Sequence, residues 1–388
     1  MIVQVFLALF AVCNAQKLFD LKSFPGQSDT QIDATGPYSI YVSASSDDDA
    51  LLNKITIKSS DNKVQTLLAL KNAKAQQNTG LLQPFAITNS AVLSSSLTND
   101  QMSKLTGTLY ITTAKQLQNN KGFFVYNVET SEKVPITGDI YPDDVTLVFL
   151  NTNYKDQPFM SSTISAWKQA EGSSVYIYEG IPKDTDEKTN SQIFSNPVLL
   201  KDKSMKFIPS VEIFSLNLGA FYIKSHKGIQ FVIEPTFYDI DNFPTSSKTT
   251  TGFYMKPIAN PDRKVTIKTG HDNDFQGMTG VNVLGSSIPT NANFGVTGPG
   301  NWATTPSETI QSWSAATIAD TLSLETTKCV AGEVFVQYYV IQGAENVPST
   351  TMLPGRQTTA RIQSTTKSTA MIQLFTSVLI PIVGARIL

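Results

Sequence analysis

The densest grouping of ligand-type side chains is His271-Asp272-Asn273-Asp274, where an imidazole and two carboxylates fall within one turn. Calcium needs six to eight oxygens gathered from several loops, and no acidic run here has EF-hand spacing. His271, Asp272 and Asp274 are therefore candidate ligand-binding residues with no metal assigned. The other acidic pairs and runs, Asp47-Asp48-Asp49, Asp143-Asp144 and Asp239 with Asp241, read as solvated turns and strand-edge charges. His226 and His271 are the only two histidines, and neither has the nucleophile context of a catalytic set. Zinc spacing cannot be built from them. The stretch Val296-Thr297-Gly298-Pro299-Gly300 lacks the Gly-Lys-Ser and helix of a phosphate loop. No catalytic residue and no cofactor are expected. A glycosidase can nevertheless work with two carboxylates paired only in space, which motif reading does not detect. Trp302 and Trp313 flank a loop-rich region, where their rings would stack on a sugar or anchor a protein partner, with packing inside the fold as the plainer alternative. Tyr176 and Tyr178, two apart, share one face of a strand.

The elements that must position these residues are short alternating strands separated by Gly, Asn, Asp and Ser turns, which suit antiparallel β-sandwiches. Internal similarity supports repeated units. Residues 54–62 return at 264–273, and more faintly at 145–151; the entries Thr35-Gly36-Pro37-Tyr38 and Thr251-Gly252-Phe253-Tyr254 precede two of these copies. Gly107-Thr108-Leu109-Tyr110 likewise resembles Gly219-Ala220-Phe221-Tyr222, and a third copy falls at Gly332-Glu333-Val334. Helix is minor, with candidates at 99–105 and near 162–168. The organisation expected is a signal peptide over 1–15, a β-sandwich unit over 16–133, a second over 134–244 and a third over 245–345. A Ser/Thr-rich stalk over 346–370 and a hydrophobic tail over 371–388 follow.

The apolar run at 3–12 and the small residues after it predict export. Residues 371–388 read as a discarded lipid-attachment signal with Ser364 as the attachment residue, against a spanning tail or a packed C-terminal segment. Lys and Arg number 30 and Asp and Glu 32, so there is no basic field to hold nucleic acid. Of two cysteines, Cys13 leaves with the signal peptide, and Cys329 is expected to be a buried small hydrophobe. No Asn lies in an Asn-x-Ser/Thr sequence, which directs any sugar to the 349–369 stretch.

The order Val175-Tyr176-Ile177-Tyr178-Glu179-Gly180, then Pro197-Val198-Leu199-Leu200, then Phe221-Tyr222-Ile223-Lys224-Ser225 and the Lys227-Gly228 turn into Ile229-Gln230-Phe231-Val232-Ile233, resembles a CUB domain. It is most similar to the CUB-like domains of secreted nematode proteins, many implicated in responses to microbes. The resemblance is clearest over 137–238. It departs from the pattern in lacking the usual disulfides and in carrying Glu179 where Asp is usual. It implies an all-β chain of two to three tandem CUB-like, jelly-roll-like sandwich units. It also implies a non-catalytic recognition protein binding extracellular protein or glycan, secreted or held at the cell surface by its C-terminal anchor or tail. A structural coat or adhesion protein is the alternative, and a glycan-active hydrolase the less favoured one.

Overall fold

The structure, a computed structural model, describes residues 16–76, 80–113, 116, 122–128, 133–136, 144–152, 161–183, 192–240, 249–268, 278–298, 313–317 and 321–341. The described chain is all-β, and its strands form three pairs of facing sheets around three hydrophobic cores.

The first sandwich contains β1 (Lys17–Asp20), β2 (Ser28–Gln31), β3 (Tyr38–Ser43), β4 (Ile55–Ser59), β5 (Val64–Thr66), β6 (Phe85–Ile87), β7 (Ala91–Ser95) and β8 (Thr108–Ile111). One sheet runs β1-β8-β3-β6 and the other β2-β7-β4-β5. Alternation drives this arrangement: Ile55 and Ile57 of β4 are buried while Lys58 between the faces is exposed. Three short helices, α1 (Asp49–Leu52), α2 (Leu67–Asn72) and α3 (Asn99–Ser103), lie in its connections. The last begins with a capping box in which Thr98 and Gln101 each satisfy the other's backbone N–H.

The second sandwich contains β9 (Phe123–Asn127), β10 (Val134–Ile136), β11 (Asp144–Leu150), β12 (Ser162–Lys168), β13 (Ser174–Glu179) and β14 (Gln192–Asn196). After the small pair β15 (Val198–Leu199) and β16 (Met205–Lys206) come β17 (Ser210–Val211), β18 (Phe214–Leu216), β19 (Ala220–His226) and β20 (Gln230–Glu234). Its sheets run β14-β13-β19-β11-β9 and β10-β20-β12-β18. Residues 162–168, expected as a helical turn, are strand β12, hydrogen-bonded on both sides. A bulge between Ser165 and Lys168, with Ala166 at φ 52, lets Trp167 enter the core.

The third sandwich contains β21 (Thr250–Lys256), β22 (Lys264–Lys268), β23 (Met278–Ser287), β24 (Asn293–Thr297), β25 (Trp313–Thr317), β26 (Thr321–Thr327) and β27 (Glu333–Ile341). Its sheets run β17-β21-β27-β23-β25 and β22-β26-β24. Apart from β5 and the borrowed β17, its connectivity repeats that of the first sandwich. β8 lies between β1 and β3 as β27 lies between β21 and β23, and β7 between β2 and β4 as β26 between β22 and β24. The similar segments at 107–112, 219–224 and 332–336 therefore fall in equivalent central strands, since β19 too lies between two antiparallel neighbours. The other repeat is out of step. Residues 54–62 form β4, whereas 264–268 form β22, the counterpart of β2.

One sheet of each sandwich is buried on both faces. All seven residues of β21 are buried, as are all six of β3, because a neighbouring sandwich covers the outer face. Between the first and second, Tyr41 and Tyr110 meet Val148, Leu150, Tyr178 and Tyr222, with the last two rings stacked at 4.8 Å. Ser43 Oγ donates to Asn127 Oδ1 at 2.8 Å across the same seam. Between the second and third, Phe253, Met255 and Phe335 enter the second sandwich's core, with Phe253 at 5.6 Å from Phe214. Gln337 clasps Ser195 there, its Nε2 donating to the Ser195 carbonyl at 2.7 Å and its Oε1 accepting the Ser195 N–H at 3.3 Å. Each such buried aromatic or aliphatic side chain contributes about 1.5–3 kcal/mol, so these contacts hold the three sandwiches in fixed relation.

Candidate functional site

A cleft of about 750 Å³ opens where residues of all three sandwiches come together. Three carboxylates line it, each at the end of a strand. Asp20 closes β1 opposite Thr108, Glu179 closes β13 opposite Phe221, and Glu333 opens β27 opposite Ser287. Gly180, also in the lining, follows at φ 79, a left-handed value that glycine adopts without a Cβ penalty, and it ends β13. The remaining walls are the segment after β11, the residues entering β19 and the Pro257–Asn260 turn after β21.

The electrostatics of the cleft are one-sided. Burial pushes the Glu333 carboxyl up to about 7, and the neighbouring charge of Glu179 adds to the effect while Lys256 opposes it. Burial also raises Glu179, with Lys183 opposing. Lys256 offsets this only in part; its buried ammonium donates to the carbonyls of Cys329, Val330 and Gly332 and makes no ion pair with Glu333 among the described contacts. Thr152, 5% exposed, lines the cleft and has a hydroxyl with no hydrogen-bond partner among the described residues; the Thr108 hydroxyl is in the same state. The cleft thus offers two carboxyls that resist ionisation, beside two buried hydroxyls that the fold leaves unbonded.

Two other recesses are charge-balanced. A groove of about 360 Å³ on the outer face of the second sandwich carries Tyr176 and Lys224, with His226 Nδ1 at 2.5 Å from Asp144. A pocket of about 260 Å³ between the second and third sandwiches is largely apolar and has the Arg263–Asp239 ion pair among its lining residues.

The candidate residues read from the sequence fall differently. His271, Asp272, Asp274, Trp302 and Ser364 lie outside the described residues. Trp313 opens β25, paired with Val283, and its side chain is likewise outside the description. Among the acidic runs, Asp48 is buried and accepts from the Thr106 N–H and hydroxyl at 2.9 Å, and Asp49 pairs with Lys71 at 2.6 Å. Cys329 is fully buried and unoxidised. Tyr176 and Tyr178 do share one face, with ring centroids 6.5 Å apart. Among the described residues no cluster of three His, Cys, Asp or Glu side chains is arranged to hold a metal. Sequence reasoning missed Glu179, Glu333 and Asp20 as a group. The first two lie in stretches read only as strand markers, and the signal that could have singled them out is a carboxylate at a strand end beside a glycine, Glu179-Gly180 and Gly332-Glu333.

Comparison with known proteins places the chain more broadly. No curated protein matches it. Among solved structures, the CUB1-EGF-CUB2 domains of rat MASP-1 share 8% identity, cover 56% of this chain and 99% of their own, and superpose with a TM-score of 0.18. No helix among the described residues is long and apolar enough to cross a membrane. The family described as transmembrane glycoprotein matches from residue 35 to residue 383, nearly the whole chain, and this protein belongs to that family.

Proposed function

We propose that this glycoprotein is a non-catalytic recognition protein displayed at a membrane, and that it binds an extracellular partner in the cleft where its three sandwiches meet. The observation that carries the reading is the cleft itself. Polar groups from all three sandwiches line one recess, with Asp20, Glu179, Asn217, Asn260 and Glu333 among them. A recess that gathers polar groups from several elements over an aliphatic wall suits a ligand that fills it. Family membership supports display at a membrane. The finer parts of the reading are a lipid on Ser364 after loss of 371–388 and service in a response to microbes. They rest on the composition of the tail and on the CUB-like resemblance of 137–238.

Ile258 lines the cleft and is 57% exposed, so Ile258→Trp fills the recess without disturbing a core. Full-length protein on cells should bind a discrete subset of extracellular proteins or glycans saturably on an array, and the variant should lose that binding. Equal binding by both forms would place recognition elsewhere. Self-association without any saturable ligand would favour a coat or adhesion protein. Treatment of the same cells with phosphatidylinositol-specific phospholipase C should release the protein if the anchor is a lipid.

A further inference from the structure

After β20 the chain crosses from the second sandwich to the third, and residues 236–240 are tied to both. On the second, the Thr163 hydroxyl donates to the Thr236 carbonyl and the Tyr238 N–H donates to Ser215 Oγ, each at 2.7 Å. On the third, Asp239 pairs with Arg263, and Ile240 packs against the core of that sandwich. Residues 237–240 form one wall of the pocket of about 260 Å³ between the two sandwiches, so that wall is held in place by the fold itself. The other walls include Phe253, Tyr254 and Met255 of β21, all buried, with Pro257, Pro261 and Val265.

Size, charge and lining each narrow what this pocket can hold. Close-packed interiors leave few voids larger than a water molecule, whereas an apolar cavity of about 150 Å³ is enough to take up benzene. At about 260 Å³ the pocket has room for two fused rings. Its charged lining residues are engaged already. Lys256 directs its ammonium to the carbonyls of Cys329, Val330 and Gly332, and Arg263 and Asp239 pair with each other. A charged guest would give up its hydration for no ionic partner, so a neutral one is favoured. Phe237, Tyr238, Phe253 and Tyr254 bring four aromatic rings to the described lining, and rings hold another ring best through offset-stacked and edge-to-face contacts.

We infer that the pocket between the second and third sandwiches binds a small neutral aromatic molecule of about two fused rings. This site is distinct from the junction cleft, with which it shares only Pro257 and Asn260 among the described lining residues, and it does not depend on what the cleft recognises. The pocket joins an apolar, ring-lined interior to a few polar groups, a combination typical of small-molecule sites.

The test is equilibrium dialysis of the full-length protein at pH 7 against 2-naphthol, its saturated counterpart decahydro-2-naphthol and the anion 2-naphthoate. 2-Naphthol should bind saturably at one site. The saturated alcohol should bind about fivefold more weakly for want of ring contacts, and the anion about tenfold more weakly for want of a cation not already engaged. Pro261 is an exposed lining residue, so Pro261→Trp occupies the pocket without entering a core and should weaken 2-naphthol binding about tenfold or more. Ile240→Trp, from the opposite side of the seam, should do the same, and a urea transition like that of the wild type shows that each variant is folded. Ile258→Trp fills the junction cleft alone and should leave 2-naphthol binding unchanged, even if the cleft proves to bind nothing. Absence of saturable 2-naphthol binding, or binding that survives both pocket variants, would overturn the inference. So would equal binding of the saturated alcohol, or tighter binding of 2-naphthoate that Arg263→Met removes. Loss of 2-naphthol binding in Ile258→Trp but not in the pocket variants would assign the ring to the cleft instead and overturn it as well.

Discussion

Removing the charge of Glu333 should make the protein more stable, and only above a defined pH. In the native state burial and Glu179 hold this carboxyl protonated up to about 7, whereas in the unfolded chain it ionises near its ordinary 4.5. Between those values the native state binds more protons than the unfolded state, so stability falls as the pH rises through the window. The contribution is fully present below about 4.5 and gone above about 7. A shift of that size corresponds to about 3.4 kcal/mol at 1.36 kcal/mol per unit. Glu333 is only partly buried, however, and solvent screening reduces the expected effect to about 1–2 kcal/mol. Glu333→Gln should therefore match the wild type near pH 4.5 and exceed it by that amount at pH 8. Urea unfolding of the full chain at pH 4.5, 6 and 8, followed by intrinsic fluorescence, measures the difference. The sandwiches have separate cores, so the transition that responds to the variant is the one to compare. A variant no more stable than the wild type at pH 8 would refute the reading of Glu333 as a partly buried carboxyl whose ionisation the fold disfavours.

Two further substitutions test the supports of the cleft. Lys256→Met removes the ammonium from the carbonyls of Cys329, Val330 and Gly332, leaving the first two with only the backbone N–H groups of Gly332 and Ala259; it should cost about 2–3 kcal/mol and speed thiol labelling of the otherwise buried Cys329, and unchanged labelling would argue against the lysine as the clasp of that turn. Gln337→Leu removes both bonds to Ser195 and should cost about 2 kcal/mol while loosening the second sandwich from the third, seen as faster amide exchange at Ser195; exchange as slow as in the wild type would show that the aromatic contacts alone hold the seam.

The fold class was legible because alternation is a local signal. In β4 and β26 the polar positions alternate with buried Ile and Leu, and no tertiary knowledge is needed to see strands. The same signal failed to number the strands. Period-two patterns look alike wherever they occur, so 54–62 and 264–273 were paired although their strands, β4 and β22, hold different places in their sheets. The segment around β12 misled for a different reason: its single-residue bulge at Ala166 breaks the alternation that marks a strand. Tyr110, Tyr222 and Phe335, by contrast, sit on central strands whose both faces are covered, and the matching of these segments in sequence reflects a shared structural place.

The cleft was illegible because no short stretch contains it. Asp20, Glu179 and Glu333 are spread over more than three hundred positions, and what joins them is the packing of the outer sheet faces rather than any spacing along the chain. Glu179 and Glu333 would be unremarkable on an isolated sandwich, where a strand-end carboxylate faces water. Packing Tyr41 and Tyr110 against Tyr178 and Tyr222, and driving Phe253 and Phe335 into the second core, brings those strand ends to one cleft and partly buries Glu179 and Glu333 while Asp20 stays exposed. The energy spent in keeping like charges close comes from these apolar contacts, each worth more than the repulsion of two partly screened carboxylates. That ordering makes the seams part of the site. A substitution in the Tyr178–Tyr222 stack should alter ligand binding although neither ring lines the cleft, whereas one in the core of the first sandwich's outer sheet, such as Ile57, should alter stability alone.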